Sequence, residues 1–231
     1  MFKICLVACA AVLLAACGAP KIRTPGGGAA APVHAPPAGV DAYHIDSAQS
    51  ELRLLVHRAG PMARLGHNHV MVNRAVGGWV DAADAASAAS FSLRVPVAEF
   101  VVDEAEARAQ EGADFSEEIQ EDARSGTRHN MLSAALLDAD RYPIITLTSI
   151  AVAQAQAPGQ LAATLAVEVA GHESTLVVPF TLETSAGRVS AFGTVALRQS
   201  ELGLTPFSVM LGALQVQDEF TVKFKLVALK N

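Results

Sequence analysis

The chain has 231 residues, a net charge of −6 and a mean hydropathy of +0.31. The whole of that net charge comes from residues 103–128, which contain nine acidic residues and three arginines. The rest of the chain is neutral and has no basic stripe, which argues against nucleic-acid binding because such binding depends on clustered Lys and Arg side chains.

The first 16 residues are typical of a secretion signal. Lys3 supplies a positive charge, and the apolar run from Ile4 to Ala16 is too short to span a bilayer comfortably. The run ends in Leu-Ala-Ala followed by Cys17, which resembles the lipobox of bacterial lipoproteins. That resemblance implies cleavage before Cys17 and acylation of this residue, which would anchor the protein in a membrane. Gly18 after the cysteine implies the periplasmic side of the outer membrane.

The region after the signal separates into a tether and one domain. Cys5 and Cys9 lie inside the signal, so we expect neither a disulfide nor cysteine chemistry in the processed chain. Residues 17–40 are rich in Ala, Pro and Gly, which cannot build a core, and we interpret them as a tether. Residues 41–231 are enough for a single domain with its own core.

Alternating apolar and polar residues predict strands along most of this domain. In residues 219–229, for example, Phe220, Val222 and Phe224 share one face, while Thr221 and Lys223 share the other. Glycine-containing pairs at 77–78, 158–159, 170–171 and 186–187 predict short turns, which join antiparallel neighbours. The predicted strands are 51–58, 90–97, 144–152, 161–170, 174–183, 188–198 and 219–229.

One helical region interrupts these strands. Residues 103–110 and 116–137 contain helix formers and acids, with a helix start expected near Ser116 and Glu118. Pro96 and Pro179 lie inside predicted strands, where each removes a hydrogen-bond donor and predicts an edge, a bulge or a bend. About eight strands without enough helix to cover them predict an all-β fold, a closed antiparallel β-barrel with a helical insertion.

Three stretches resemble the YceI-like family. Residues 43–58 (YHIDSAQSELRLLVHR) resemble its first hairpin, and residues 131–149 (MLSAALLDADRYPIITLTS) resemble its helix-to-strand passage. Residues 200–226 resemble its Gly-Leu loop, followed by an Asp before the final strand, here Asp218. The chain departs from the usual family pattern at residues 128–131 (RHNM) and 66–69 (GHNH). The resemblance implies a lipocalin-like barrel that binds polyisoprenoids or other amphiphilic lipids.

The interior of such a barrel is expected to be apolar. Many candidate inward positions are Ala, Val or Leu, which leaves two alternatives open: a lumen that holds a lipid, or one filled by its own side chains. The predicted lumen residues are Leu54, Val56, Phe91, Leu93, Leu165, Val167, Val222 and Phe224. The favoured function is a membrane-tethered periplasmic carrier of an amphiphilic lipid.

The stretch Arg64–His69 (RLGHNH) suggests a second candidate site. If residues 67–72 form a strand, His67, His69 and Met71 share one face. The two histidines then have three interpretations: they shape a loop, they contact a ligand head group, or with Met71 they bind a metal such as copper. The metal site would need a further ligand from elsewhere in the fold. A periplasmic metal-binding protein is therefore the alternative function.

Catalytic signatures are missing from the sequence. It contains no nucleophile elbow, phosphate-binding loop or dinucleotide fingerprint, so we predict neither an enzyme nor a bound cofactor. The sequence leaves open whether the domain forms a homo-oligomer.

Overall fold

A computed structural model describes residues 35–37, 39, 42–81 and 89–230. The signal, Cys17 and most of the tether lie outside the described residues, so the predictions for them stay predictions. The strands are β1 (Tyr43–Ile45), β2 (Glu51–Ala59), β3 (His69–Asn73), β4 (Gly77–Asp81), β5 (Ser90–Pro96), β6 (Val101–Val102), β7 (Ile144–Gln154), β8 (Leu161–Val169), β9 (His172–Ser185), β10 (Arg188–Arg198), β11 (Ser208–Val209) and β12 (Leu214–Lys230). The α-helices are α1 (Ala105–Ala109) and α2 (Glu121–Leu132).

The strands close into an antiparallel barrel with eight positions around its wall. Two positions are each shared by a pair of short strands: β1 with β2, and β3 with β4. The wall continues through β5, β7, β8, β9, β10 and β12, and β12 closes it against both β1 and β2. The predicted antiparallel barrel is confirmed.

Residues 43–58 do not form the hairpin that the resemblance suggests. β1 pairs with the end of β12 and β2 with its earlier part, so both lie along the same edge of one long strand. Between them, the Asp46 N–H donates to the Val227 C=O, and the Val227 N–H donates to Ser50 Oγ. These bonds hold the intervening turn against β12. The chain therefore keeps the same direction from β1 to β2 instead of folding back into a hairpin.

The prediction of a turn at Gly77-Gly78 is wrong. Both residues lie in β4, where Gly77 pairs with Arg94 and Gly78 with Leu93. Gly78 has φ +139°, and a Cβ atom on it would lie 2.1 Å from the backbone oxygen of Ser92. Glycine is required here because the backbones of β4 and β5 approach closely. The glycine pair that suggested a turn is therefore part of a strand.

We expect Gly78→Ala to destabilise the protein by about 3 kcal/mol or more, because the methyl group would collide with the β5 backbone. Urea denaturation followed by circular dichroism measures this effect. Gly77→Ala is the matched control, since a Cβ there would meet nothing within 4 Å. Equal effects for the two neighbours would contradict the proposed close contact.

The helical region is shorter than the sequence predicts. α2 begins at Glu121 rather than near Ser116, because Ser116 Oγ donates to the Ala113 carbonyl within a preceding 3-10 turn. α2 ends at Leu132, and Met131 is buried in the barrel core. In the described part of the chain, no helix is long and apolar enough to cross a membrane.

Both prolines lie at or beside the end of a stretch of strand pairing. Pro96 ends β5 and precedes a 3-10 turn at Val97–Glu99. Pro179 lies in β9, where pairing with β10 ends at Thr181 and Phe192. From Pro179 back to His172, β9 pairs with β8. Because proline has no N–H to donate, it suits the point where β9 leaves β10.

Candidate functional site: the barrel interior

The inner face of the barrel carries one continuous apolar surface. All eight predicted lumen residues lie on strands of the wall, and seven belong to the main apolar cluster or pack against it. Val56, Leu165, Val167 and Val222 are buried within that cluster, whereas Leu54, Phe91 and Phe224 remain partly exposed. Leu93 is buried and follows the same strand alternation as Phe91. Whether these residues contact a ligand stays a prediction.

Many inward side chains are only half-buried, so part of the apolar inner surface stays accessible. One row across the wall illustrates this: Val195 of β10 pairs with Val222 of β12, which pairs with Leu54 of β2. Val222 is buried, while its two neighbours keep accessible surface. Apolar groups that face inward and stay accessible provide surface that a guest molecule can cover.

Further inward residues of the same kind were not among the predicted lumen residues. They share partial exposure and contact with the main cluster, and they lie on β2, β7, β9, β10 and β12. Period-two alternation in these strands was the available signal. They are Leu52, Ile145, Leu147, Val178, Phe180, Leu182, Val195, Leu197, Val216 and Leu226.

A groove of about 800 Å³ crosses the outside of the wall where β9 leaves β10. Phe180 and Phe224, which pack against the inner cluster, also line this groove. Its polar lining includes Arg53 and Lys223, which Glu111 holds at 2.7 and 2.5 Å. The groove therefore brings charged surface close to the apolar interior at the point where the pairing of β9 with β10 ends.

The family assignment follows from the sequence match over this barrel. The sequence matches the model of the YceI-like domain over residues 43–228, which runs from β1 almost to the end of β12. The chain belongs to the YceI-like family. No curated protein matches this YceI-like chain.

Two solved structures share the fold of this YceI-like domain. Burkholderia cenocepacia BcnA is 20% identical with a TM-score of 0.58, and the match covers 80% of this chain and 99% of BcnA. A polyisoprenoid binding domain from Saccharophagus degradans is 12% identical with a TM-score of 0.53, covering 82% and 98% of the two chains. At these identities the likeness establishes the fold.

In this YceI-like domain, His69 is part of a buried polar network. Its Nδ1 lies 2.6 Å from Oδ2 of Asp103, and its Nε2 lies 3.4 Å from Oγ1 of Thr127 on α2. Oδ1 of Asp103 accepts hydrogen bonds from the Val70 N–H and from Arg108. The network fastens the helical insertion to β3, and both ring nitrogens of His69 face a protein partner.

Asp103 is the centre of this network and is only 2% exposed. Burial alone would raise the pKa of its carboxyl group, but the hydrogen bond and charge of His69 and the bonds from Val70 and Arg108 lower it overall. Asp103 also has φ +56°, a left-handed conformation that Asp tolerates better than most residues. The carboxylate is therefore held charged inside the protein.

His67 lies edge to face with His69, with ring centroids 6.2 Å apart, but it has a different carboxylate partner. β3 begins at His69, so His67 precedes the strand, and the expectation of a strand over 67–72 is wrong at its start. The Nδ1 of His67 lies 3.4 Å from Glu117, whereas Met71 is buried in the main cluster. Within the described ranges, no group of three or more His, Cys, Asp or Glu side chains is placed to hold a metal ion.

Asp218 lies inside β12 rather than before the final strand. Its carboxylate accepts hydrogen bonds from the Ser200 N–H and Oγ, at 2.8 and 2.6 Å. These bonds lower the pKa of Asp218. They fasten the 3-10 turn at Ser200–Leu202, and β12 shifts its register against β2 between Val216 and Phe220.

Proposed function

We propose that this protein binds an amphiphilic lipid, polyisoprenoid-like or fatty, with the apolar tail in the barrel interior. In this proposal it acts as a carrier at the periplasmic side of the outer membrane, anchored through acylated Cys17. The observation that carries the proposal is the set of inward apolar side chains that keep accessible surface, including Leu54, Val195 and Phe224.

The physical reason is the free energy of moving a hydrocarbon chain out of water. Each buried methylene group contributes about 0.8 kcal/mol, so a long tail binds strongly even without polar contacts. The half-buried side chains gain from the same exchange, because the tail covers their remaining surface. The Saccharophagus degradans relative is named as a polyisoprenoid binding domain, which supports the choice of ligand class.

The proposal requires no covalent step. A carrier needs an apolar compartment, a means of exchange and proximity to the membrane that supplies its lipid. The groove beside the β9–β10 seam is a candidate route for exchange, because Phe180 and Phe224 line it and also pack against the inner cluster.

Native mass spectrometry of residues 42–231, purified after secretion without added ligand, tests the proposal. We expect a protein with an organic adduct of several hundred daltons, released on denaturation and soluble in organic solvent. Denaturing mass spectrometry of the same sample is the control, since it must return the bare chain mass. A chain without any organic adduct, even after incubation with polyisoprenyl and fatty lipids, would overturn the proposal.

The same spectra address the alternative metal function. An excess mass equal to one copper or zinc ion, lost on treatment with a chelator, would favour metal binding through His67 and His69. The variant with both histidines replaced by Ala would then lose that mass. Under the lipid proposal, this double variant keeps its organic adduct.

A further inference from the structure

Two contacting loops at one end of the barrel expose a cluster of apolar side chains. The loop after β2 and the loop between β11 and β12 are joined by a hydrogen bond from the Met62 N–H to the Ala213 carbonyl, at 2.8 Å. The exposed fractions are 55% for Leu65, 36% for Val209, 64% for Met210 and 108% for Leu211. We call these four residues the apolar tip.

The backbone of the apolar tip is strained. Met210 and Leu211 have φ of +53° and +55°, a left-handed conformation that residues with bulky side chains rarely adopt. A loop that served only to connect β11 with β12 would favour Gly or Asn at such positions. Strained conformations of this kind persist mainly at functional sites. Here the strain directs two large apolar side chains into solvent.

The two chain segments that carry the apolar tip have charge of one sign. Residues 60–66 and 203–214 contain no acidic residue, and their single charged residue is Arg64, which is exposed. Apolar side chains with an adjacent cation match the surface of a bilayer that contains anionic phospholipids, where the side chains enter the interface and the cation meets the head groups.

We propose that the apolar tip inserts into the surface of a phospholipid bilayer, with Arg64 against anionic head groups. The tip lies where β12 begins, whereas β1 lies where β12 ends. Membrane contact at the tip is therefore made at the other end of β12 from β1. β12 begins at Leu214, directly after the tip, and its third residue, Val216, already packs against the apolar inner cluster. The tip therefore lies beside the apolar interior. This surface would bring the barrel to a lipid source.

Flotation of residues 42–231 with vesicles tests the proposal without interference from Cys17 or the signal. This segment contains every strand of the closed barrel. We expect the domain to float with vesicles of phosphatidylethanolamine and phosphatidylglycerol. Met210→Ser with Leu211→Ser should lower the bound-to-free ratio about tenfold or more, because two apolar side chains no longer enter the bilayer.

The matched control replaces two equally exposed apolar residues elsewhere on the wall. Ile150 and Val177 are 60% and 62% exposed, so Ile150→Ser with Val177→Ser removes similar surface away from the tip. We expect this control to bind vesicles like the parent domain. Arg64→Ser should weaken binding to vesicles with phosphatidylglycerol and have little effect with neutral phosphatidylcholine vesicles.

A spectroscopic measurement locates the insertion. A tryptophan introduced by Leu211→Trp should shift its emission to shorter wavelength and be quenched by brominated lipids, whereas Val177→Trp should respond to neither. Absence of vesicle binding by the parent domain, or equal binding by the tip and wall variants, would overturn the proposal. So would a parent domain that is dimeric without vesicles and becomes monomeric in the tip variant, because a second copy would then cover the tip. Lipid held in the lumen is measured separately by native mass spectrometry. A domain that does not bind vesicles can therefore still carry an organic adduct, which distinguishes failure of this proposal from failure of the proposed function.

Discussion

Replacing Val195 by Trp should abolish retention of the bound lipid while leaving the barrel folded. Val195 faces inward, is only half-buried, and pairs across β12 with the row that contains Leu54. A tryptophan there would cover the accessible apolar surface in place of the lipid, whereas a large residue at buried Val222 would overpack the core at a cost of about 1–3 kcal/mol. Native mass spectrometry should show the adduct in the parent and the bare chain in Val195→Trp.

Ala196→Trp is the matched control for this experiment. Ala196 is the next residue of β10, is exposed, and pairs with Thr221 on the outer face. The same side chain is therefore added to the opposite side of the wall, and the adduct should remain. If Val195→Trp also retained a full complement of lipid, the ligand would have to lie outside this part of the interior.

Asp103→Asn should lower the free energy of unfolding by about 3 kcal/mol, which is the second large effect we expect. The change removes the negative charge that pairs with Arg108 and His69, and the Arg108 side chain is only 5% exposed. Asn keeps the left-handed conformation accessible, so the measured loss reports the charge. Urea denaturation should show an earlier midpoint with an unchanged slope.

Glu121→Gln is the control because it breaks an ion pair that lies in solvent. Glu121 is 78% exposed and contacts Arg124 three residues later in α2. Exposed pairs contribute less than about 1 kcal/mol, so little change is expected. A loss for Glu121→Gln as large as that for Asp103→Asn would contradict a special role for the buried network.

The lowered pKa of Asp103 also predicts how stability depends on pH. In the folded protein this carboxyl binds its proton at a lower pH than in the unfolded chain, where its pKa is about 3.9. The stabilisation is therefore complete above that value and is lost as the pH falls below about 4. Glu111 has a lowered pKa as well, because its bonds to Lys223 and Arg53 outweigh its burial, and it adds to the same acid loss.

Urea midpoints measured between neutral and acidic pH test this prediction. We expect the parent domain to lose stability steeply below about pH 4, and Asp103→Asn to lose it less steeply, since one of the responsible groups is absent. Parallel curves for the two proteins would show that Asp103 does not contribute to the acid transition.

The strand pattern was predictable because side-chain direction in a strand depends on local geometry. Alternation placed Val222 and Phe224 on one face of their strand, and the same rule predicted the strand at 188–198 that the structure has as β10. The prolines were also informative, since the missing N–H of Pro179 has the same consequence in any sheet. The missed inward residues lie in strands that the sequence already predicted.

The polar network could not be predicted in the same way. His69 and Asp103 are 34 positions apart, and Asp103 was assigned to a helical segment rather than to the turn before α1. The sequence pointed to His69 as unusual, but its carboxylate partner became apparent only in the fold. The start of α2 was misplaced for a related reason, because Ser116 has a local bond within another turn.

By itself, the sequence determined the all-β class, the antiparallel order and the apolar inner face, because each depends on periodicity and short connections. The tertiary structure decided the features that need a neighbour from elsewhere in the chain. Gly78 belongs to a strand because β5 lies against it, His69 is tied to a buried carboxylate, and the burial of each inner side chain depends on the neighbouring strands of the closed wall. Local preference sets the direction of a side chain, whereas long-range pairing sets its surroundings.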